Sequence, residues 1–233
     1  MKLAFIKRKK VWIPTVIVLV IVAAVVAFGP YIYRDQIARK APATPSVEVA
    51  KNAETPLTSE EMVGDWAAAD GTYAGYRVNE VLRGVAATVV GRTSQVEANV
   101  NLSGSAVEAG KITVDMASVA TDQPSRDGFF RGTTLATGIY KTSQFELTKP
   151  VQLSSLLAAG EKRSVDLVGK LTIHGVSRDV TVKAEVGFDG RLLKVAGSIP
   201  IVFTDYGVQA PNLGFVAVED HGAVEFLIVL AHK

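Results

Sequence analysis

Residues 163–188 read RSVDLVGKLTIHGVSRDVTVKAEVGF, two alternating rows of side chains flanking a His-Gly pair. On the first arm Val165, Leu167, Leu171 and Ile173 share one face. On the second, Val180, Val182, Ala184, Val186 and Phe188 alternate with Asp179, Thr181, Lys183 and Glu185. Successive side chains of a strand point to opposite faces, so this period of two marks antiparallel strands with one apolar and one wet side. His174-Gly175 between them reads as a hairpin turn in which glycine takes positive φ without steric cost. A ligand-contacting role for His174 is the alternative, but turn chemistry accounts for both residues.

The same period extends outward in both directions. Val96, Ala98, Val100 and Leu102 alternate with Glu97, Asn99 and Asn101; Ile112, Val114 and Met116 alternate with Lys111, Thr113 and Asp115. The last run, VEFLIVL, offers Val224, Phe226, Ile228 and Leu230 as an inner row. Turn signals at Leu102-Ser103-Gly104, Ala109-Gly110, Asp189-Gly190 and Asp220-His221-Gly222 punctuate these runs. Strands are predicted near 72–79, 86–93, 95–103, 110–117, 143–150, 163–173, 178–188, 191–203 and 223–231. Eight or nine short antiparallel strands suit a closed barrel or a sandwich. The stretch 120–142 alternates weakly and is read as carrying short helices, with another helical turn at Leu153–Ala159. Thr58-Ser59-Glu60-Glu61 has the spacing of a capping box at the start of a short helix.

The N-terminus has a different character. From Val11 to Tyr33 the chain reads VWIPTVIVLVIVAAVVAFGPYIY, without one charge. As a helix rising about 1.5 Å per residue it reaches roughly 34 Å, enough for a bilayer core of about 30 Å. Lys2, Lys7, Arg8, Lys9 and Lys10 precede it, so residues 1–10 are expected to be a cytoplasmic basic stub and 11–33 a transmembrane signal anchor. A cleaved secretory signal is the rival, but its apolar region would be shorter than this run. Residues 34–63, with scattered prolines and small polar residues, are expected to be an extended, mobile linker. Residues 64–233 form the remaining domain, placed outside the cytoplasm.

Composition sharpens this division. The whole chain of 233 residues carries a formal charge of +2 and no cysteine. Five basic and no acidic residues lie within 1–33, so the other 200 residues hold 20 basic and 23 acidic side chains, a net −3. The absence of cysteine excludes a disulfide framework, a thiolate nucleophile and a zinc-thiolate centre. A slightly acidic domain without a basic stripe excludes nucleic-acid binding. No Gly-x-Ser-x-Gly elbow or phosphate-cradling Gly-Lys-Ser/Thr loop is present. His221 beside Glu219 and Asp220 lacks a second histidine at ligand spacing and reads as a solvated turn. Arg126-Asp127 reads structurally: Asp127 caps a short helix and Arg126 ties the loop to a carbonyl or carboxylate. Asp205 reads as a turn former. No metal, cofactor or catalytic residue is expected.

Arg126-Asp127 after VDMASVATDQPS, LTIHGVSRDVTV at 171–182, FTDYGV at 203–208, Trp66 and TVVGRTSQVEANV together resemble the YceI-like family over residues 64–231. That resemblance implies an all-β, extended antiparallel lipocalin-like barrel with short helices, here preceded by one N-terminal transmembrane helix. It also implies an elongated apolar interior that binds isoprenoid or other amphiphilic chains, and members that are not enzymes. The sequence departs from the family pattern at YRVNEVLRG, where Glu80 lies in a region in which many relatives carry histidine.

The interior strand positions are rich in Ala, Val and Gly, which leaves room for a slender ligand in a barrel of about eight strands. The candidate ligand-binding wall is Tyr76, Val78, Phe129, Phe130, Leu135, Phe145, Leu147, Leu171, Ile173, Phe203 and Tyr206. Burying an apolar tail at about 25 cal/mol per Å² would supply affinity without any charged contact. The expected function is therefore a membrane-tethered, extracytoplasmic carrier of isoprenoid or fatty amphiphile. The alternative is an envelope structural or stress module with a filled core and a protein partner on its outer surface. An enzyme acting on lipid would need an ionisable group in the cavity, with Glu80, Asp127 and His174 the residues to test.

Overall fold

The computed structural model describes residues 9–32, 41–49, 57–58, 60–82, 84–152, 157–214 and 216–233. After helix α1 (Lys9–Ile32) come strands β1 (Gly64–Ala68), β2 (Tyr73–Leu82), β3 (Val85–Thr93), β4 (Val96–Ser103) and β5 (Ala106–Asp115). Helix α2 (Pro124–Phe129) runs into a wider helical turn over Phe130–Thr134. Strands β6 (Thr142–Leu147), β7 (Val151–Gln152), β8 (Glu161–Ile173), β9 (Val176–Phe188), β10 (Leu192–Val202) and β11 (Val216–His232) follow.

All described pairings are antiparallel. Strands β1, β4, β5, β6, β8, β9, β10 and β11 form a ring that closes because β11 pairs with β1, Trp66 opposite His232. Closure removes the exposed edges that an open sheet would present. The β2–β3 hairpin extends the wall from β11. This is the all-β barrel with short helices that the resemblance implies, one of the two architectures the alternation allows, and β8 and β9 join at His174-Gly175 as read, with φ of 52° and 74°.

Several boundaries differ from the sequence reading. β1 is an additional strand, only five residues long and too short to display alternation. β5 begins at Ala106 rather than near 110. Asp220-His221-Gly222 is a bulge inside β11, where the register against β2 shifts between Val218 and Gly222, and not a turn. The 58–61 capping box does form: Thr58 N–H donates to Glu61 Oε2 at 2.8 Å and Glu61 N–H to Thr58 Oγ1 at 3.3 Å. It closes a single turn rather than a helix. The helical turn expected at Leu153–Ala159 lies mostly outside the described residues.

Two apolar clusters occupy opposite ends of the barrel. One gathers Met62, Trp66, Leu102, Phe188, Leu193 and Leu230. Trp66 is wholly buried there, its Nε1 donating to the Met62 carbonyl at 3.0 Å. The other gathers Leu135, Leu171, Ile173, Val182, Ile199, Tyr206 and Val208 beneath the helical segments. Between them, aromatic rings lie along the wall because glycines face them. A Cβ on Gly169 would come within 2.4 Å of Phe145 Cζ, one on Gly197 within 2.6 Å of Phe226 Cζ, and one on Gly91 within 2.5 Å of Tyr76 Cε1. Flat rings over glycines leave the lumen open.

Residues 41–49 are extended, as expected of a linker, but they are held against the outer wall rather than mobile. Arg77 donates to the Pro42 carbonyl at 2.7 Å, Arg92 to Ala43 at 2.8 Å, Lys162 to Val47 at 2.9 Å and Lys194 to Glu48 at 3.0 Å. Val47 N–H donates to Glu185 Oε2 at 2.7 Å, and its side chain is 1% exposed. It nests over Gly187, where any Cβ would approach Val47 Cγ1 to 2.6 Å.

Lys162 and the Val47 amide hold the Glu185 carboxyl below the usual carboxylate range. A depressed native pKa adds stability above the unfolded value, about 4.3 for Glu, and loses it as pH falls through the lower native value. Docking of this 41–49 strap is therefore expected to weaken only on acidification below that range. Hydrogen exchange at the Val47 amide checks this, with protection constant from neutrality to pH about 5 and declining below about 4.

Helix α1 spans 24 residues, and its side chains are described over 16–29. Every residue from Val16 to Phe28 is apolar and exposed. Among the described residues no helix is long and apolar enough to cross a membrane.

Candidate functional site

The ring encloses an elongated cavity of about 650 Å³ that runs from one apolar cluster to the other. Its walls come from the inward rows of the strands: Ala74, Tyr76, Val78 and Glu80 on β2, Ile112 and Val114 on β5, Leu167 and Leu171 on β8, Val195 and Ile199 on β10. All eleven residues named from the sequence line it: Tyr76, Val78, Phe129, Phe130, Leu135, Phe145, Leu147, Leu171, Ile173, Phe203 and Tyr206. Phe130, delivered by the helical segment, stacks on Tyr76 with ring centroids 5.0 Å apart and planes at 15°.

The polar lining is concentrated at one end. Glu80, Gln123, Ser125 and Arg126 meet there, and exposed Leu213 and Ser125 mark the mouth. Arg126 Nη2 lies 3.0 Å from Glu80 Oε1, and Nη1 lies 2.9 Å from Asp122 Oδ1. Glu80 is 7% exposed, so the guanidinium is what makes a carboxylate at this depth tolerable. Arg126 thus ties its loop to carboxylates, as its sequence context suggests. Asp127 does not cap α2, because the N-cap position is Gln123. Asp127 instead sits in the first turn and accepts from Thr121 N–H at 2.9 Å and Thr121 Oγ1 at 2.7 Å, pinning the preceding loop.

The wall also carries hydroxyl groups, those of Tyr76 and Ser143 among them. Burial pushes the Tyr76 phenol well above its ordinary pKa, so it remains a neutral hydroxyl throughout the physiological range. Ser143, 9% exposed on β6, faces the lumen, and its Oγ has no hydrogen-bond partner among the described residues. Nothing in the 143–150 alternation singles out Ser143, and the Glu80–Arg126 pair spans 46 positions, beyond any local pattern. The departure at Glu80 was the only sequence signal pointing to that pair. His174 packs against Tyr140, ring centroids 4.2 Å apart, at the β8–β9 turn. His221 stays solvated beside Glu219 and Asp220. Among the described residues no cluster of His, Asp or Glu could hold a metal ion.

A family model described as the YceI-like domain matches residues 67–230, most of the chain. The chain belongs to the YceI-like family. Among solved structures, one described as a polyisoprenoid binding domain from Saccharophagus degradans, implicated in plant cell wall breakdown, is similar. It has a TM-score of 0.58 and 18% identity, over 73% of this chain and 99% of that one. Burkholderia cenocepacia BcnA gives a TM-score of 0.48 and 22% identity, over 66% and 95%. A Campylobacter jejuni YceI protein gives 0.46 and 19%, over 61% and 84%. No curated protein matches the chain. The Saccharophagus likeness shows a shared fold; identity at that level says nothing of the ligand.

Proposed function

We propose that this YceI-like barrel is an extracytoplasmic binding protein for a long apolar amphiphile, isoprenoid or fatty, tethered to the membrane by α1. The observation that carries this reading is the cavity of about 650 Å³, apolar along its length and polar at one end. A volume of this order suits a small-molecule ligand, and a lining so poor in polar groups offers affinity through desolvation. The description of the Saccharophagus relative as polyisoprenoid binding agrees with it. A filled core, required by the reading as a purely structural module, is hard to reconcile with this space. The role is binding rather than catalysis, since Glu80 and Arg126 already neutralise one another.

The polar end defines the head group. Arg126 is engaged by Glu80 and Asp122, with Asp127 on the next residue, so carboxylates outnumber the cation. An anionic head would have to displace a carboxylate from the guanidinium, whereas a neutral head can accept or donate at the rim. The tether is supported by the uninterrupted exposed apolar surface of α1 from Val16 to Phe28, which in water would have no partner. The basic residues before it favour a cytoplasmic N-terminus by the positive-inside tendency.

The test is displacement of a fluorescent fatty-chain probe from the purified protein. Saturable binding is expected, with a fatty alcohol competing better than the fatty acid of equal chain length. Glu80→Gln should shift that ratio toward the acid by roughly fivefold, about 1 kcal/mol, because Arg126 loses one counter-charge. Absence of saturable binding would sink the reading, and an unchanged ratio would sink the head-group argument alone.

A further inference from the structure

The geometry points to the 41–49 strap as the element that turns the cavity mouth toward the bilayer, an inference that rests on the membrane-tether reading above. Leu57 N–H is held by the Gly190 carbonyl at 2.9 Å, at the end of the barrel closed by Trp66 and Leu230. Running back toward the N-terminus, Glu48 is held by Lys194, which lies opposite Val229. Pro42 and Ala43 are held by Arg77 and Arg92, whose guanidinium groups meet on Glu225. The strap therefore crosses the outer wall from β8, β9 and β10 to β2 and β3 and, in crossing, shifts from the level of Val229 to that of Glu225, away from the closed end and toward Val218, which pairs with Glu80 at the polar mouth.

Chain length converts that direction into a constraint. An unattached linker over residues 34–63 could let the barrel stand roughly 100 Å from the anchor in any orientation. With the strap docked, only residues 33–40 separate α1 from the wall, a reach of at most about 28 Å. Glu225 pairs with Gly75 and Val218 with Glu80, so along β2 the mouth lies five residues beyond the strap, about 17 Å at 3.4 Å per residue. That reach covers the rim, and the direction in which the strap leaves the wall is what selects the mouth end.

The surface at that end is suited to a bilayer. Among the described residues outside α1, the exposed large apolar side chains are Val63, Val81, Ile139, Val202 and Leu213. Four of these lie at the mouth end. Val81 pairs with Ala217 beside the β2–β3 tip, and Val202 pairs with His221. Leu213 N–H donates to Val216, and Ile139 precedes Tyr140 on the His174 turn. Apolar side chains grouped on one end of a tethered barrel fit an interface with acyl chains. An apolar ligand could then pass between membrane and lumen without crossing open water.

The chain has no cysteine, so single thiols report position cleanly. The full-length protein is reconstituted into phosphatidylcholine–phosphatidylglycerol vesicles carrying a lipid-borne quencher. An environment-sensitive fluorophore is placed at Ile139→Cys or Val202→Cys on the mouth end, or at Ser105→Cys or Arg191→Cys on the closed end. Mouth probes are expected to be quenched several-fold more than closed-end probes. Val47→Asp, and separately replacement of 41–49 by Gly/Ser of equal length, should abolish that asymmetry while the protein still floats with vesicles. Flotation with equal quenching in the unaltered protein, or asymmetry that survives both strap variants, overturns the inference and leaves the binding reading intact. Failure to float overturns the tether and the inference together.

Discussion

Val165→Trp combined with Val195→Trp is expected to reduce amphiphile binding by at least about tenfold, or about 1.4 kcal/mol, while leaving the barrel folded. Both residues line the cavity from β8 and β10, the two strands that flank β9, and both are only half-buried because they border open space. In a close-packed core, added volume forces neighbours off their rotamers at a cost of about 1–3 kcal/mol. Here the indoles project into a lumen of about 650 Å³ and displace only what would enter it. Loss of binding with retained stability is the signature of a hollow barrel, and the two quantities are read by probe displacement and thermal unfolding. A filled core would give the opposite pattern, with a lowered melting temperature and no effect on binding.

The second large effect concerns stability. Glu225 is 1% exposed on the outer face of β11, where Arg77 Nε approaches to 2.6 Å and Arg92 Nη2 to 3.6 Å. Glu225→Ala is expected to cost about 3 kcal/mol, because breaking one side of a buried pair leaves the remaining charges uncompensated. For a domain of this size that corresponds to a fall of roughly 6–12 °C in Tm. Both arginines also hold strap carbonyls, so the Val47 amide should lose hydrogen-exchange protection in the same variant. Arg77→Ala with Glu225→Ala should cost less than the two single changes summed, since each removes the other's stranded partner. Strict additivity would mean that the pair contributes nothing.

Glu225 also illustrates what the sequence leaves unread. In VEFLIVL the alternation of Val224, Phe226, Ile228 and Leu230 is legible, and it correctly sends Glu225 to the outer face. Outer faces are ordinarily wet, and nothing local indicates that residues 42–43 and two arginines cover this one. The same applies to Val47, one apolar residue in a proline-containing polar stretch, whose burial depends on a groove at Gly187 that lies 140 positions away. Periodicity captures the faces of β8 and β9 because those strands are long, with thirteen residues each. It misses β1, whose five residues close the ring between β4 and β11 and bury Trp66 at its end.

The cavity wall was more legible than its chemistry. Inward rows follow from period two, so Leu171, Ile173 and Phe145 could be placed on the lumen side without knowing the barrel's diameter. The openness of the lumen depends on cross-strand glycines meeting rings, as Gly169 meets Phe145 and Gly197 meets Phe226, and pairing of that kind is invisible before the register is known. The polar pole likewise needs α2 folded across the mouth to bring Arg126 to Glu80.

The most direct test of the central claim is native mass spectrometry of the protein purified from membranes, followed by organic extraction of what it carries. The account predicts one amphiphile with a long apolar chain and a neutral head per barrel, removed by delipidation and restored on incubation with membrane lipid. A barrel that leaves the membrane without such a molecule, and takes up none when lipid is supplied, would contradict it.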